Sequence, residues 1–532
     1  MEQTTHVMPA VGSRVKRESV LRRLVGGFSV PVTVILSLCL LKIATPINYD
    51  PDLYWHLKTG EYIVTHGMLP YSDIFSHTMA GHDWVLHEWL SEVIFYGIVT
   101  AAGFKGLDLF VAVLYTATFY LLFRLCRKVS GTETKALIVA LLFFAPLIGF
   151  TSPRPQLFTY LFFVLYTGIL FDYKYRTSTR LAAALPAVML VWANMHAASL
   201  VGITLLALFL GAEWCTVFAR QHTEPAQKAA LKRLTFWALL AAAMTLINPR
   251  FIEYWTYPFY VLNLDVAKGL INEWQSPNFH SLHYRYFLAI FLLFFTVLIY
   301  SKKKPDLAEI AVPMFFIAAG FTAIRHLPFA CLAAAPFFAL FLRHTPLPQW
   351  RSAMSRGAGL RADMDRNLVC YLNVLLLACV TGSVAYTQSR MSPEALIDMA
   401  LPVKAASFIE THGISGRMFN EYGEGGYLIY RLYPERQVFI DGRADLYGNE
   451  FMKEYFGIIN GSAEWKKKFD AHSIDYAVLP KEVPLRQLLL NGGAFKLVYD
   501  DERHSVLVAR TAAFARLPEV PEHSSEATDS HR

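Results

Sequence analysis

The strongest constraint on this chain is a succession of apolar runs, separated by short polar connections that are alternately basic and poor in positive charge. The runs are Phe28 to Ala44, Leu107 to Leu125, Ala136 to Phe150, Leu157 to Phe171, Leu181 to Met195, Leu200 to Phe218, Leu231 to Ile247, Tyr286 to Tyr300, Leu307 to Ile324, Pro328 to Leu342 and Leu368 to Tyr386. Each is long enough to cross, or nearly cross, about 30 Å of hydrocarbon. A soluble core has no use for eleven of them. Composition agrees, since 54% of the 532 residues are hydrophobic and 17% are charged, against about a quarter charged in ordinary soluble chains. The expected fold is a polytopic α-helical membrane protein of about eleven spans.

Positive charge sets the sidedness. With the basic segment 1–27 (Arg14, Lys16, Arg17, Arg22, Arg23) in the cytoplasm, alternate loops receive Arg124, Arg127, Lys128 and Lys135, then Lys174, Arg176 and Arg180. Further along come Arg220, Lys228, Lys232 and Arg233, then Lys302 to Lys304, and then Arg343, Arg351, Arg356, Arg361 and Arg366. All of these are cytoplasmic in this scheme. The first run has no small-residue cleavage pattern behind it, so it reads as a retained anchor. The scheme requires the stretch Trp89 to Ala102, with Glu92 inside it, to lie on the outer membrane surface as an amphipathic helix. Three regions then face outward: a first loop from Thr45 to about Lys105, a second from Asn248 to about Arg285, and the segment after the last span. The organisation expected is a cytoplasmic segment 1–27, a membrane domain 28–387 with first outer loop 45–105, an extracytoplasmic α/β domain 388–517, and a disordered tail 518–532.

The net charge of +7 sits mostly on the cytoplasmic loops, which disfavours nucleic acid as a partner. The six cysteines (Cys39, Cys126, Cys215, Cys331, Cys370, Cys379) lie in or beside apolar runs. That rules out a disulfide framework and a cysteine-based zinc site.

In the last region, alternation predicts a helix over Pro393 to His412, a strand over Arg417 to Asn420, and a Gly-rich turn into Tyr427 to Leu432. A strand over Gln437 to Asp441, a helix over Asn449 to Asn460, a helix and strand within Ala463 to Leu479, and the pair Phe495 to Tyr499 and Ser505 to Ala509 complete a small α/β layer. The glycines Gly423 to Gly426 do not fit a dinucleotide fingerprint, which opens a helix after a strand with a fixed glycine spacing. Turn formation accounts for them, and an ion pair between Arg443 and Asp445 accounts for that neighbourhood. A contribution of this domain to acceptor binding is the lesser reading.

Chemistry is expected where polar groups collect at outward-facing span ends. A charged side chain at the middle of a bilayer costs roughly 2.5 to 3.5 kcal/mol even on lenient scales. Arg154, Arg250 and Arg325 stand on the side opposite the basic loops, in Arg154-Pro155-Gln156, Asn248-Pro249-Arg250 and Arg325-His326. Asn194 and His196 join them within Trp192-Ala193-Asn194-Met195-His196. Each arginine alone could snorkel to lipid phosphate or cap a helix. Together, guanidinium groups suit bidentate capture of phosphate oxygens.

The opposite charge follows the first span, in Asn48-Tyr49-Asp50-Pro51-Asp52-Leu53-Tyr54-Trp55-His56. Pro51 makes Asp50 the natural N-cap of a helix over Asp52 to Thr65. Asp52 has no such duty, and a carboxylate beside arginines can act as general base or metal ligand. The same loop holds His56, His66, His77, His82 and His87. The five-residue offset of His82 and His87 does not stack them on one helix face, so interfacial packing is preferred over a histidine metal site. A single divalent cation (Mg or Mn) held by carboxylates stays open.

With these residues in place, the chain resembles the GT-C superfamily of integral-membrane glycosyltransferases. The resemblance covers the arrangement of most of the chain. More narrowly, Asp50 to Leu57, Arg154-Pro155-Gln156, Trp192 to His196 and Phe439-Ile440-Asp441-Gly442-Arg443 look like those of a group of bacterial membrane proteins placed in that superfamily. The resemblance implies inverting transfer of a sugar from a polyprenyl-phosphate-linked donor to a glycan, lipid or protein acceptor. The reaction would run at the outer face of a bacterial inner membrane, with the N-terminus cytoplasmic and no nucleotide cofactor. It maps the catalytic base or metal-binding aspartate to Asp50 or Asp52. The donor would be bound through Arg154, Gln156, Asn194, His196, Arg250, Arg325 and His326. The Trp-Trp-Asp signature of oligosaccharyltransferases is absent, which disfavours transfer to asparagine. The competing expectation is a non-catalytic binding, transport or assembly subunit for a lipid-linked glycan or envelope polymer.

Overall fold

The computed structural model describes residues 30–44, 50–220, 222–346 and 400–522, with scattered positions from 375 to 397. The basic N-terminal segment, the first part of the run Leu368 to Tyr386, the start of the helix expected at Pro393, and most of the C-terminal tail lie outside the described residues.

The apolar runs form helices because, in hydrocarbon, every peptide group must be bonded within its own segment; Pro313 and Pro336 are tolerated inside their helices, whereas beside Pro146 the α-helix gives way to a 3-10 turn over Ala145–Phe150. Among the described residues six helical segments are long and apolar enough to cross a membrane: Trp89–Ser130, Glu133–Phe150, Gln156–Arg176, Ser199–Ala219, Leu282–Tyr300 and Ile324–Arg343. Three shorter apolar segments, Thr33–Lys42, Arg180–Met195 and Leu307–Thr322, accompany them. Pro225–Met244 is also helical, with Lys228, Lys232 and Arg233 in its first half. The helix Leu327–Arg343 is the hub of the body. Nearly all of its side chains are buried, and it packs against Trp89–Ser130, Glu133–Phe144, Gln156–Arg176, Leu282–Tyr300 and Leu307–Thr322.

The first loop is built differently from the expectation. The helix Trp89–Ser130 breaks at Gly103, whose φ of 65° and ψ of −172° are open to glycine alone. The expected short helix up to Ala102 therefore exists as a separate arm. It is not a lone surface helix, because Glu92 is 0% exposed. A protein helix, Asp52–His66, covers it: a Cβ on Gly60 would fall 2.2 Å from the Glu92 carbonyl oxygen.

The C-terminal region is an α/β layer with a four-stranded sheet ordered β1-β2-β4-β3. The strands are β1 (Met418–Asn420), β2 (Tyr476–Pro480), β3 (Phe495–Asp500) and β4 (His504–Ala509). β1 and β2 run parallel, and the other pairs are antiparallel. Two expectations need correction, and one helix is additional. Gly425–Leu432 is a helix, so the glycines open it instead of ending in a turn. Gln437 to Asp441 is extended but joins no strand of this sheet. It bonds instead to the first loop, with the Val438 amide donating to the Phe75 carbonyl and the His77 amide to the Val438 carbonyl. The helix Pro484–Asn491 was not anticipated.

Candidate active site

The helix Asp52–His66 starts beside the body of spans, and its first residues carry the two acids. Pro51 occupies the N-cap position, one residue later than expected, because its fixed φ already suits the first turn. Asp50 still serves the helix start, its Oδ1 accepting from the Asp52 amide at 3.1 Å.

Arg154 meets both acids. It projects from the turn Ser152 to Pro155, closed by its amide donating to the Ser152 carbonyl at 2.7 Å, just before the helix Gln156–Arg176. Its Nη2 donates to Asp50 Oδ1 at 2.6 Å and lies 2.8 Å from Asp52 Oδ2, while its Nε contacts Asp50 Oδ2. A third acid, Glu273, stands 3.5 Å from Nη1. One guanidinium thus lies among three carboxylates. Burial, with Asp50 and Glu273 nearby and despite Arg154, pushes Asp52 up to about 7. The Asp52 side chain keeps 22% of its surface exposed and Glu273 keeps 39%, so the cluster is open on that side.

Glu273 belongs to a short 3-10 turn, Asn272–Trp274, in the second loop. That turn is tied to the expected arginine site by the Ile324 amide, which donates to the Gln275 carbonyl at 2.9 Å, and by Arg325, whose guanidinium lies 4.3 Å from the Trp274 ring centre. Gln156 is half-buried on the first turn after Arg154.

Other expected donors are engaged elsewhere. Arg250 donates to Asp83 at 2.9 Å, to the Tyr71 carbonyl at 2.8 Å and to the Trp84 carbonyl, and shares none of these partners with Arg154. It pins the second loop to the first. Asn194 accepts from Trp89 Nε1 at 2.9 Å and donates to the carbonyls of Leu190 and Ile247, both at 2.8 Å. His326 Nδ1 lies 3.2 Å from the Ala319 carbonyl, at the end of the preceding helix. His196 pairs with Thr159 Oγ1 at 2.8 Å and with Glu88 Oε1 at 3.2 Å.

Glu88, which no motif marked, gathers three imidazoles. Besides His196 it lies 3.4 Å from His87 Nε2 and 3.6 Å from His56 Nε2. These histidines hold its carboxyl well below the usual range, His87 first, against the cost of burial. Burial lowers His56 to about 4. His56, Glu88 and Glu92 present ligand-type atoms within 4.8 Å of one another, a set that could hold a metal ion. The sequence signal for this set is the i, i+4 spacing of Glu88 and Glu92, a pair of acids and not of histidines.

The C-terminal domain closes one wall. A Cβ on Gly442 would fall 1.9 Å from Asp52 Oδ1, and one on Gly426 would fall 2.3 Å from the Pro51 carbonyl oxygen. Glycine lets the Asp52 carboxylate and the Pro51 backbone approach the C-terminal region this closely. Tyr427 meets Tyr54 edge-on with ring centres 5.0 Å apart, and Tyr422 donates to the Gly442 carbonyl at 3.0 Å. Arg443 does not pair with Asp445 as expected. Its guanidinium donates to Asp441 at 2.7 and 2.8 Å, reaches Asp73 of the first loop at 2.8 Å, and lies over the Trp84 ring at 4.5 Å. Asp441 wins because it sits at the extended end that the first loop already grips.

Neither a family model nor a curated protein matches the sequence. Solved structures do match. The apo oligosaccharyltransferase of Archaeoglobus fulgidus aligns over 91% of this chain and 74% of its own, with a TM-score of 0.50 and 11% identity. Apo ArnT of Cupriavidus metallidurans aligns over 91% of this chain and 98% of its own, with a TM-score of 0.50 and 15% identity. Both are GT-C membrane glycosyltransferases, so the class of fold expected from the sequence is the one observed, with six long apolar segments among the described residues beside the eleven spans expected. At these identities the likeness is one of fold.

Proposed function

We propose that the protein is an inverting membrane glycosyltransferase that uses a polyprenyl-phosphate-linked sugar and an extracytoplasmic acceptor. The observation that carries this reading is the Asp52 carboxylate, partly exposed, 2.8 Å from Arg154 and pushed up to about 7 by its burial. A base poised near the working pH takes a proton most effectively. Asp52 removes the proton of the acceptor hydroxyl as its oxygen bonds to the anomeric carbon. The bond from that carbon to the phosphate oxygen breaks, and the phosphate leaves with the electron pair.

Arg154 and Arg325 then balance the charge of the leaving phosphate. Asp50, with the tightest contacts to Arg154, is the positioning acid. Glu273, the most distant of the three, is the one that a donor phosphate replaces. The Asp50 and Asp52 oxygens already face a guanidinium, so the open option of a Mg or Mn ion at these two acids is not needed for charge balance. A nucleotide is not needed either, because the donor carries its own phosphate leaving group.

The test is release of free polyprenyl phosphate from polyprenyl-phosphate sugars by the purified chain, across a panel of acceptors. Turnover is expected, and Asp52→Asn should lower it by roughly 10²- to 10⁴-fold, the usual worth of a general base, with the melting curve retained. Donor binding without turnover across the panel would support the assembly-subunit reading instead.

A further inference from the structure

One helical turn beyond Asp52 lies a cluster that the proposed transfer does not use. His56 follows Asp52 by four residues and so shares its helix face, but it is 2% exposed. Its Nδ1 is 3.1 Å from Glu92 Oε1 and its Nε2 is 3.6 Å from Glu88 Oε2. Glu88 and Glu92 are themselves four residues apart, Glu88 at the N-cap and Glu92 in the first turn of the arm that packs across the His56 helix. Two i, i+4 faces thus meet, one offering an imidazole and the other two carboxylates.

The other Glu92 oxygen, Oε2, is buried and has no hydrogen-bond partner among the described residues, although Glu92 is 0% exposed. A buried carboxylate oxygen without a donor is unfavourable. The guanidinium that acts electrostatically on Glu92, that of Arg443, is already held by Asp441 and Asp73. Two buried acids converge on one imidazole here, and a dication would balance them.

We propose that His56, Glu88 and Glu92 form a binding site for a divalent cation of the zinc class. Imidazole nitrogen mixed with carboxylate oxygen suits zinc, whereas magnesium prefers oxygen alone and keeps several waters. His87 and His196, which both lie on Glu88, orient that carboxylate as outer partners of a metal commonly do. The ion joins the helix Asp52–His66 to the arm Trp89–Ala102 and so fixes where Asp52 stands. The site stands on this geometry and does not depend on the transfer reaction.

The experiment uses the full chain in detergent, stripped with EDTA and titrated with Co²⁺ as a coloured stand-in for zinc. The expected result is a visible d–d band that saturates at one equivalent, is removed by Zn²⁺ and survives an excess of Mg²⁺. No thiolate charge-transfer band should appear, which sets the site apart from the free cysteines. Glu92→Gln should abolish the band. A wild-type chain that takes up no Co²⁺, or one whose band persists unchanged in both Glu92→Gln and His56→Asn, overturns the proposal. The wild-type titration decides the matter even where a variant does not fold, and it can fail while sugar transfer succeeds.

Discussion

Arg154 and Arg443 each lie between aspartates where the first loop meets another part of the chain, and their surroundings set them apart. The Arg443 and Asp73 side chains are 1% and 0% exposed, and the guanidinium is covered by Trp84 and Phe75. Its two carboxylates are further satisfied, Asp441 accepting from Tyr447 at 2.8 Å and Asp73 from the Ser76 hydroxyl through its second oxygen. Arg154 has three acids for one positive charge and keeps 21% of its surface exposed. Burial first, then the neighbouring acids, lift Asp52 to about 7 against the pull of Arg154. A closed cluster whose carboxylates are held by further hydroxyls fastens the C-terminal region to the first loop, whereas an open cluster with three acids on one guanidinium can exchange a partner for a substrate.

This contrast can be broken by mutation. Arg443→Ala should have the largest effect on stability, about 3–5 kcal/mol, because it leaves two buried aspartates without their cation. Thermal melts in detergent check this, and a loss below about 1 kcal/mol would place Arg443 with ordinary surface pairs. Gly442→Ala should act on the open cluster instead. The added carbon needs the space of Asp52 Oδ1, and displacing a catalytic group by an ångström can cost on the order of 10²-fold in rate. Turnover should fall by far more than the melting temperature would suggest. Arg250→Ala should have the smallest effect: its carboxylate partners Asp83 and Glu253 are 69% and 56% exposed, so a loss of about 1–2 kcal/mol is expected from its charged hydrogen bonds. The KM for the donor should stay within about twofold, since Arg250 shares no partner with Arg154.

Much of this comparison could be read from the chain, but not its pairing. The spans were legible because lipid enforces long uninterrupted apolar helices. The hairpin β3–β4 was legible because two alternating runs flank a short polar turn. Asp50, Asp52 and Arg154 were legible because each sits in a Pro-containing turn at the end of a span, where a charge has few structural reasons to be.

Glu273 left no such trace, since an acid in an irregular loop has no periodicity to mark it. Glu88 is similar, because its meaning comes from His56 and His196 on other segments. Arg443 shows the opposite error. Asp445 was near in sequence, but Gln437 to Asp441 is drawn out against the first loop, and that tertiary contact placed Asp441 and Asp73 on the guanidinium. The same applies to Arg250, which ends a span like Arg154 yet faces the tip of the first loop.

The central claim is that Asp52 is a base whose proton affinity is raised by its burial among other acids. The pH dependence of kcat/KM for polyprenyl phosphate release tests it most directly. A base works deprotonated, so the rate should climb as pH rises, reach half its plateau near the Asp52 value of about 7, and level off above it. A rate already at its plateau by about pH 5, as an ordinary carboxylate with a value near 3.8 would give, would contradict the account.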